Sequence, residues 1–226
     1  MINKITTMEK ALDSVKSGDR VMIGGFGLSG SPLNLIRGLS KKPVKNLTAI
    51  SEDIGYSNVT IFKDRAVSAL YDNRQVSKVC VSFLGPNKFI NQLIRDGELE
   101  YQLVPQGTLI ERIRAAAAGI GGFYTPTGVG TVVEEGKEKK VIDGKEYILE
   151  TALHAEIALV KGYRADRMGN VTFRYTGSNF NLMMAMAAKT TIVEVEEIVE
   201  VGELDPEHVQ LPGVFVDYVV LPEGGA

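Results

Sequence analysis

Short apolar runs alternate with amphipathic segments along the first half of the chain. A run such as Val21-Met22-Ile23 predicts a buried strand, whereas an apolar residue at every third or fourth position predicts a helix. Strands are predicted at 20–24, 46–51, 76–84 and 99–104. Helices are predicted at 7–16, 32–40, 59–71, 87–95 and 108–117. This alternation with short links predicts an α/β fold, an open, mainly parallel twisted sheet flanked by helices.

The second half of the chain has a different pattern, which adds antiparallel strands to the predicted fold. Residues 119–130 contain five glycines and predict a long ordered loop. Asp143-Gly144 predicts the turn of a hairpin over 141–147. Further predicted elements are antiparallel strands at 156–161 and 171–175, a helix at 181–188, and strands at 190–195 and 214–220. Neither a linker nor an internal repeat interrupts the pattern, so we predict a single domain over 1–226.

A glycine-rich loop directly follows the first predicted strand. Its seven residues are Gly24, Gly25, Phe26, Gly27, Leu28, Ser29 and Gly30. Ser31 suits the N-cap of the next helix, and Pro32 suits its first position, where a missing N–H costs nothing. A loop with few side chains beside a helix N-terminus predicts a place where backbone N–H groups bind an anion or a phosphate-bearing ligand.

Composition narrows the classes of function. The chain has 226 residues and a net charge of −3, which gives no reason to expect nucleic acid or an anionic membrane as a partner. No apolar run approaches the roughly 20 residues of a membrane-spanning helix. A single cysteine, Cys80, excludes an internal disulfide framework, and we predict a cytoplasmic protein. His154 and His208 lack metal-ligand spacing, so no metal site is predicted.

The glycine spacing permits one hypothesis that involves a nucleotide cofactor. Gly25-Phe26-Gly27-Leu28-Ser29-Gly30 matches the dinucleotide pattern G-x-G-x-x-G, and Glu52 lies 22 residues further on, where a ribose-binding acid is expected. This predicts an NAD(P)- or flavin-dependent oxidoreductase. In that fold the third glycine lies inside the helix, but Ser31-Pro32 places the helix start after Gly30. A tight strand-to-helix turn without a ligand is a further alternative.

Four blocks of the sequence, taken in order, resemble one known family. They are residues 21–32, residues 104–114 with Pro105-Gln106-Gly107, residues 123–131, and Asn179-Phe180-Asn181 followed by Ala185-Met186-Ala187-Ala188. Together they are similar to the alpha subunit of the family I, or 3-oxoacid, CoA-transferases. The chain departs from the family pattern at Ser17, where Asp or Asn is usual. Four ordered blocks across the chain are far more specific than one glycine-rich loop.

The resemblance implies an activity, a substrate and a partner. Members of the family move CoA between an acyl-CoA and a short-chain or 3-oxo carboxylic acid such as acetoacetate, through a glutamyl-CoA intermediate on the beta subunit. Coenzyme A is then a substrate, and no permanently bound cofactor is expected. The expected partner is the beta subunit, in a heterotetramer or another hetero-oligomer. A non-catalytic CoA-binding subunit remains an alternative.

The resemblance also assigns roles to particular residues. Gln106 matches the glutamine of the oxyanion hole, and loop 24–30 is expected to bind CoA. The nucleophilic glutamate of the family lies in a Ser-Glu-Asn-Gly block of the beta subunit. Ser51-Glu52-Asp53 comes close to that block, so Glu52 is a candidate for the pseudo-equivalent position. We favour an exposed or hydrogen-bonded loop acid that faces the partner, because Asp53-Ile54 replaces the Asn-Gly of that block.

Overall fold

The computed structural model describes residues 2–55, 66–85 and 87–222, without the side chains of residues 66 and 67. Within these ranges the helices are α1 (Met8–Leu12), α2 (Leu33–Ser40), α3 (Ala66–Asp72), α4 (Lys88–Arg95), α5 (Gln106–Ala117) and α6 (Asn181–Ala187). The strands are β1 (Arg20–Ile23), β2 (Leu47–Ile50), β3 (Val76–Val81), β4 (Glu100–Leu103), β5 (Gly122–Thr125), β6 (Lys139–Ile142), β7 (Lys145–Thr151), β8 (Ala155–Lys161), β9 (Arg164–Asp166), β10 (Val171–Thr172), β11 (Ala188–Glu194), β12 (Glu197–Val199) and β13 (Tyr218–Val220).

Seven parallel strands form the central sheet, in the spatial order β13-β11-β8-β1-β2-β3-β4. The predicted parallel sheet flanked by helices is therefore confirmed. One strand was predicted in the wrong place. The segment 156–161, predicted as antiparallel, is β8 at the middle of the parallel sheet, between β1 and β11. The antiparallel partner of β10 is the short strand β9.

Helices cover both faces of this sheet because successive side chains of a strand point to opposite sides. Val21 and Ile23 of β1 belong to the core beneath α1 to α4, whereas Met22 belongs to the core beneath α5 and α6. Cys80 is buried in the second core, and burial raises the pKa of its thiol. A buried thiol with a raised pKa is an inert core residue rather than a nucleophile.

Two smaller sheets account for the predicted additional strands. One has the order β5-β7-β6 and is antiparallel throughout, and the other has the order β10-β9-β12. The predicted hairpin is confirmed, with Asp143 at φ 50° and Gly144 at φ 76°, as a two-residue primed turn requires. The predicted long ordered loop over 119–130 is wrong in part, because strand β5 occupies residues 122–125.

Several predicted helix boundaries shift in the structure. Thr7 caps α1 as predicted, but this helix ends at Leu12. Helix α5 begins at Gln106 rather than Thr108, directly after Pro105 in the N-cap position. Of the predicted helix 59–71, residues 59–65 lie outside the described residues and the remainder overlaps α3. Among the described helices, none is long and apolar enough to cross a membrane.

Candidate active site

The carboxyl ends of four neighbouring strands bring the candidate residues to one edge of the sheet. The glycine-rich loop follows β1, Glu52 follows β2, Ser82 follows β3 and Gln106 follows β4. Strand β1 pairs with β2 on one side and with β8 on the other, so the connection order changes direction there. In open α/β sheets, ligands bind at the carboxyl edge near such a change of direction.

The glycine-rich loop folds into a tight turn of its own. Phe26 and Ser29 exchange two backbone hydrogen bonds of 3.0 Å around Gly27 and Leu28. Gly27 has φ 57°, a conformation that favours glycine, and its N–H donates to Oδ2 of Asp53 at 2.9 Å. Among the described residues, the N–H groups of Gly25, Leu28 and Gly30 have no hydrogen-bond acceptor. Gly25 is buried, whereas Leu28 and Gly30 are partly exposed and can offer their N–H groups at the edge of the sheet.

Asn181, from the fourth block of resemblance, fixes the glycine-rich loop through hydrogen bonds to the backbone. Its fully buried Nδ2 donates to the carbonyl oxygens of Gly30 and Gly177, both at 2.8 Å. Its Oδ1 accepts the N–H of Lys161 at the end of β8, at 3.0 Å. A Cβ on Gly24 would lie 1.8 Å from this oxygen. The sequence identified both segments, but nothing in its local pattern predicts their contact.

The start of α2 differs from the prediction. The helix begins at Leu33 with Pro32 in the capping position, so Ser31 is not the N-cap. The N–H groups of Asn34 and Leu35 both donate to Oε2 of Glu194 at 2.9 Å. Glu194 is only 1% exposed. A buried carboxylate of the chain therefore occupies this helix N-terminus, and the predicted anion or phosphate-bearing ligand can bind only through the N–H groups of the loop itself.

Glu52 and Gln106 are brought together by the fold. Nε2 of Gln106 donates to Oε1 of Glu52 at 3.0 Å, and Oγ of Ser82 lies 3.1 Å from the same oxygen. Glu52 is 6% exposed, whereas Gln106 is exposed at the first position of α5. Sequence reasoning selected both residues but missed Ser82. An isolated serine after a strand carries no distinctive sequence signal.

Burial and the neighbouring Asp53 together shift the pKa of Glu52. Burial and a hydrogen bond with the Asp53 side chain raise the pKa of Glu52, and the hydrogen bonds from Gln106 and Ser82 only partly oppose that rise. Asp53 itself accepts the N–H groups of Gly27 at 2.9 Å and Gly55 at 2.6 Å. Asp53 thus fixes the glycine-rich loop, while Glu52 has a raised tendency to carry a proton.

Two arginines of α5, whose charge could suit a CoA phosphate, have structural partners instead. Arg112 is buried; its Nε donates to the carbonyl of Thr151 at 2.8 Å and lies 3.7 Å from Glu150. Arg114 donates to Glu111 one turn away, at 2.7 Å. Within the described part of the chain, no three potential metal ligands cluster together. Arg112 and Arg114 therefore contribute to the packing and the surface of α5 rather than to the candidate site at the edge of the sheet.

Comparison with known proteins identifies the family. Residues 5–221 match the sequence profile of the coenzyme A transferase family. The chain is 47% identical over 217 residues to one subunit of a probable succinyl-CoA:3-ketoacid coenzyme A transferase of Bacillus subtilis, covering 96% of this chain and 89% of that protein. It is 42% identical to the alpha subunit of the acetate CoA-transferase of Escherichia coli, covering 99% of each.

A solved structure shows the same fold. An acyl-CoA transferase of Escherichia coli O157:H7, in a thioester complex with CoA, superposes with a TM-score of 0.85 at 24% identity. The alignment covers 100% of this chain and 49% of that one. These matches do not support the oxidoreductase hypothesis that rests on the spacing of Gly25, Gly27 and Gly30. The chain therefore belongs to the coenzyme A transferase family, and its class of chemistry is CoA transfer.

Proposed function

We propose that this chain is the alpha subunit of a heteromeric CoA-transferase that moves CoA between an acyl-CoA and a short-chain or 3-oxo acid such as acetoacetate. The observation that carries the proposal is the match, over nearly the full length, to relatives named as the first of the two subunits of such enzymes. Their names specify succinyl-CoA with a 3-ketoacid, 3-oxoadipate, and acetate. The partner is a beta subunit, and coenzyme A enters as a substrate.

The proposed reaction is a double displacement through a glutamate of the beta subunit. Its carboxylate attacks the thioester carbonyl, and the tetrahedral oxyanion collapses with release of the CoA thiolate and formation of an acyl-glutamyl anhydride. The thiolate then attacks the glutamyl carbonyl of the anhydride, which releases the first acid and leaves a glutamyl-CoA thioester. The acceptor acid repeats these steps in reverse. Covalent catalysis divides one difficult exchange into easier steps.

This chain contributes hydrogen-bond donors to that reaction. The Gln106 side-chain amide carries two N–H donors, and its hydrogen bond to Glu52 uses one of them. The second is available to a tetrahedral oxyanion, and the unpaired N–H groups of loop 24–30 lie at the same edge of the sheet. Loop 24–30 binds CoA through these backbone N–H groups in this proposal. Buried Glu52 is not assigned the role of nucleophile.

Reconstitution tests the proposal. This chain and the beta chain are purified separately, and formation of acetoacetyl-CoA from succinyl-CoA and acetoacetate is followed by absorbance. We expect no turnover by either chain and rapid turnover by the mixture. Mass spectrometry after incubation with succinyl-CoA should place the CoA adduct on the beta subunit. Turnover or a covalent adduct on this chain alone would contradict a site divided between two subunits, and CoA binding without any adduct would favour a non-catalytic subunit.

Gln106→Ala in the mixture tests the oxyanion donor. Loss of one such donor costs about 3–4 kcal/mol of transition-state stabilisation, so we expect kcat to fall about a hundredfold or more. The matched control is Gln102→Ala, the same truncation at an exposed position of the edge strand β4, where kcat should stay within about twofold of the unmodified mixture. A near-normal rate for Gln106→Ala removes Gln106 from the mechanism.

The cytoplasmic location, the subunit stoichiometry and the single domain stay predictions.

A further inference from the structure

The exposed position of Gln106 creates a problem of orientation for the proposed oxyanion donor. A glutamine side chain has three rotatable bonds, and at the first residue of α5 little packing restricts them. A rotated or flipped amide would present its Oε1, an acceptor, to the position where the oxyanion forms. Within the described part of the chain, the amide is restrained by the hydrogen bond from its Nε2 to Oε1 of Glu52, at 3.0 Å.

Glu52 itself is held firmly. Its backbone carbonyl accepts the N–H groups of Ser82 and Phe83, both at 3.1 Å, so the ends of β2 and β3 are joined at this residue. Oγ of Ser82 also lies 3.1 Å from the same Oε1 that Gln106 contacts. At 6% exposure, the carboxyl group has little freedom to leave this position. Glu52 therefore offers a fixed acceptor at the start of α5.

We propose that Glu52 is a positioning residue for Gln106, which selects the amide orientation that directs the second Nε2–H toward the reacting carbonyl. The inference rests on the proposed function of Gln106 as an oxyanion donor. A carboxyl oxygen that faces Gln106 accepts a hydrogen bond and therefore favours the nitrogen side of the amide.

The arrangement predicts different outcomes for two substitutions of Glu52. Glu52→Gln keeps a carbonyl oxygen that can accept from Gln106 and Ser82. Glu52→Met has a similar length but supplies no acceptor for Gln106. In the reconstituted pair we expect Glu52→Met to lower kcat about ten- to hundredfold with KM changed less than about threefold, because small errors in position cost such factors. Glu52→Gln should recover most of that loss.

A double-mutant cycle separates positioning from an independent role. Once Gln106→Ala has removed the amide, Glu52→Met should lower kcat by less than about threefold further. The matched control is Glu100→Met on the exposed edge strand β4, which should leave kcat within about twofold. If Glu52→Gln abolishes activity, or if Glu52→Met costs the same factor with and without Gln106, the positioning role is overturned. If Gln106→Ala is itself harmless, the proposed function of Gln106 fails instead.

NMR of this chain without its partner tests the anchor directly. The side-chain amide signals of Gln106 are identified by their loss in Gln106→Ala. In the unmodified chain and in Glu52→Gln we expect two resolved signals, one of them protected from hydrogen exchange. In Glu52→Met the two signals should exchange freely. If Glu52→Met does not fold, the unmodified chain still decides, because a freely exchanging Gln106 amide there overturns the inference.

Discussion

The backbone conformation of single residues in the glycine-rich loop is fixed by a polar side chain that lies far away in the sequence. Asn181 bridges the carbonyl of Gly30 and the N–H of Lys161, and the loop backbone passes against it without an intervening side chain. Gly25 is constrained as well, since its φ is 113° and an added Cβ would lie 2.9 Å from Cα of Ser31. The glycines thus serve close packing as well as exposure of backbone N–H groups.

Gly24→Ala should destabilise the chain by about 1–3 kcal/mol. The added Cβ would overlap with Oδ1 of Asn181, 1.8 Å away, and would displace its hydrogen bonds. The measurement is the urea midpoint of unfolding, followed by far-UV circular dichroism. Gly121→Ala is the matched control, because an added Cβ there meets nothing within 4 Å, and its midpoint should barely move. Equal midpoints for the two variants would show that the close approach to Asn181 is not tight in solution.

The candidate site shows what residue patterns can and cannot predict. Pro105-Gln106-Gly107 and Ser51-Glu52-Asp53 are recognisable as short blocks, so the sequence alone selects both Gln106 and Glu52. Their contact was not predictable, because 54 positions separate them and the hydrogen bond exists only when β2 and β4 end at the same edge. Ser82 lies in no recognisable block, and only its distance to Glu52 reveals a role.

At the level of elements, helix α2 depends on a carboxylate that its own sequence does not contain. Pro32 has no side chain to cap the helix, and the first turn contains no acid. Glu194, the last residue of β11, accepts both N–H bonds and also the Asn34 side-chain amide at 2.8 Å. A buried carboxylate at a helix N-terminus is favourable because the helix dipole and the unpaired N–H groups stabilise its charge.

Glu194→Ala should therefore destabilise the protein by about 2–4 kcal/mol, because two backbone N–H groups lose their acceptor in a buried location. The free energy of unfolding in urea measures this loss. Glu196→Ala, two residues further along, serves as a control. It removes a more exposed carboxylate that lies 3.3 Å from Lys161 at the surface, and its cost should stay below about 1 kcal/mol. If Glu194→Ala unfolds at the same urea concentration as Glu196→Ala, the capping interaction contributes nothing.

At the level of the whole molecule, the central sheet joins two cores into one unit. Adjacent residues of β3 point to opposite sides, with Val79 and Val81 in one core and Cys80 in the other. Both cores pack on the same strands, so disruption of one core also removes support from the other core. The candidate site lies where four of these strands end, so its geometry depends on the whole sheet rather than on any one loop.

This shared sheet predicts cooperative unfolding of the chain. The chain contains eight tyrosines and no tryptophan, so its fluorescence comes from tyrosine. Far-UV circular dichroism and tyrosine fluorescence should give coincident urea transitions. Tyr71 is fully buried in one core and reports on the tertiary packing. Two separated transitions would instead indicate that the chain contains more than one folding unit, against the predicted single domain over 1–226.

The sequence by itself determined the features that depend on neighbouring residues. Apolar alternation identified β1 to β4, Asp143-Gly144 determined the hairpin, and Thr7 and Asn87 provide local caps for α1 and α4. Only the tertiary structure decided the central parallel position of β8, the cap of α2 by Glu194, and the contacts of Asn181 and Glu52. The hydrogen bonds of Ser82 with Glu52, of Asn181 with Gly30 and of Asn34 with Glu194 join residues 30, 151 and 160 positions apart. Side-chain periodicity contains no information about which distant strands become neighbours.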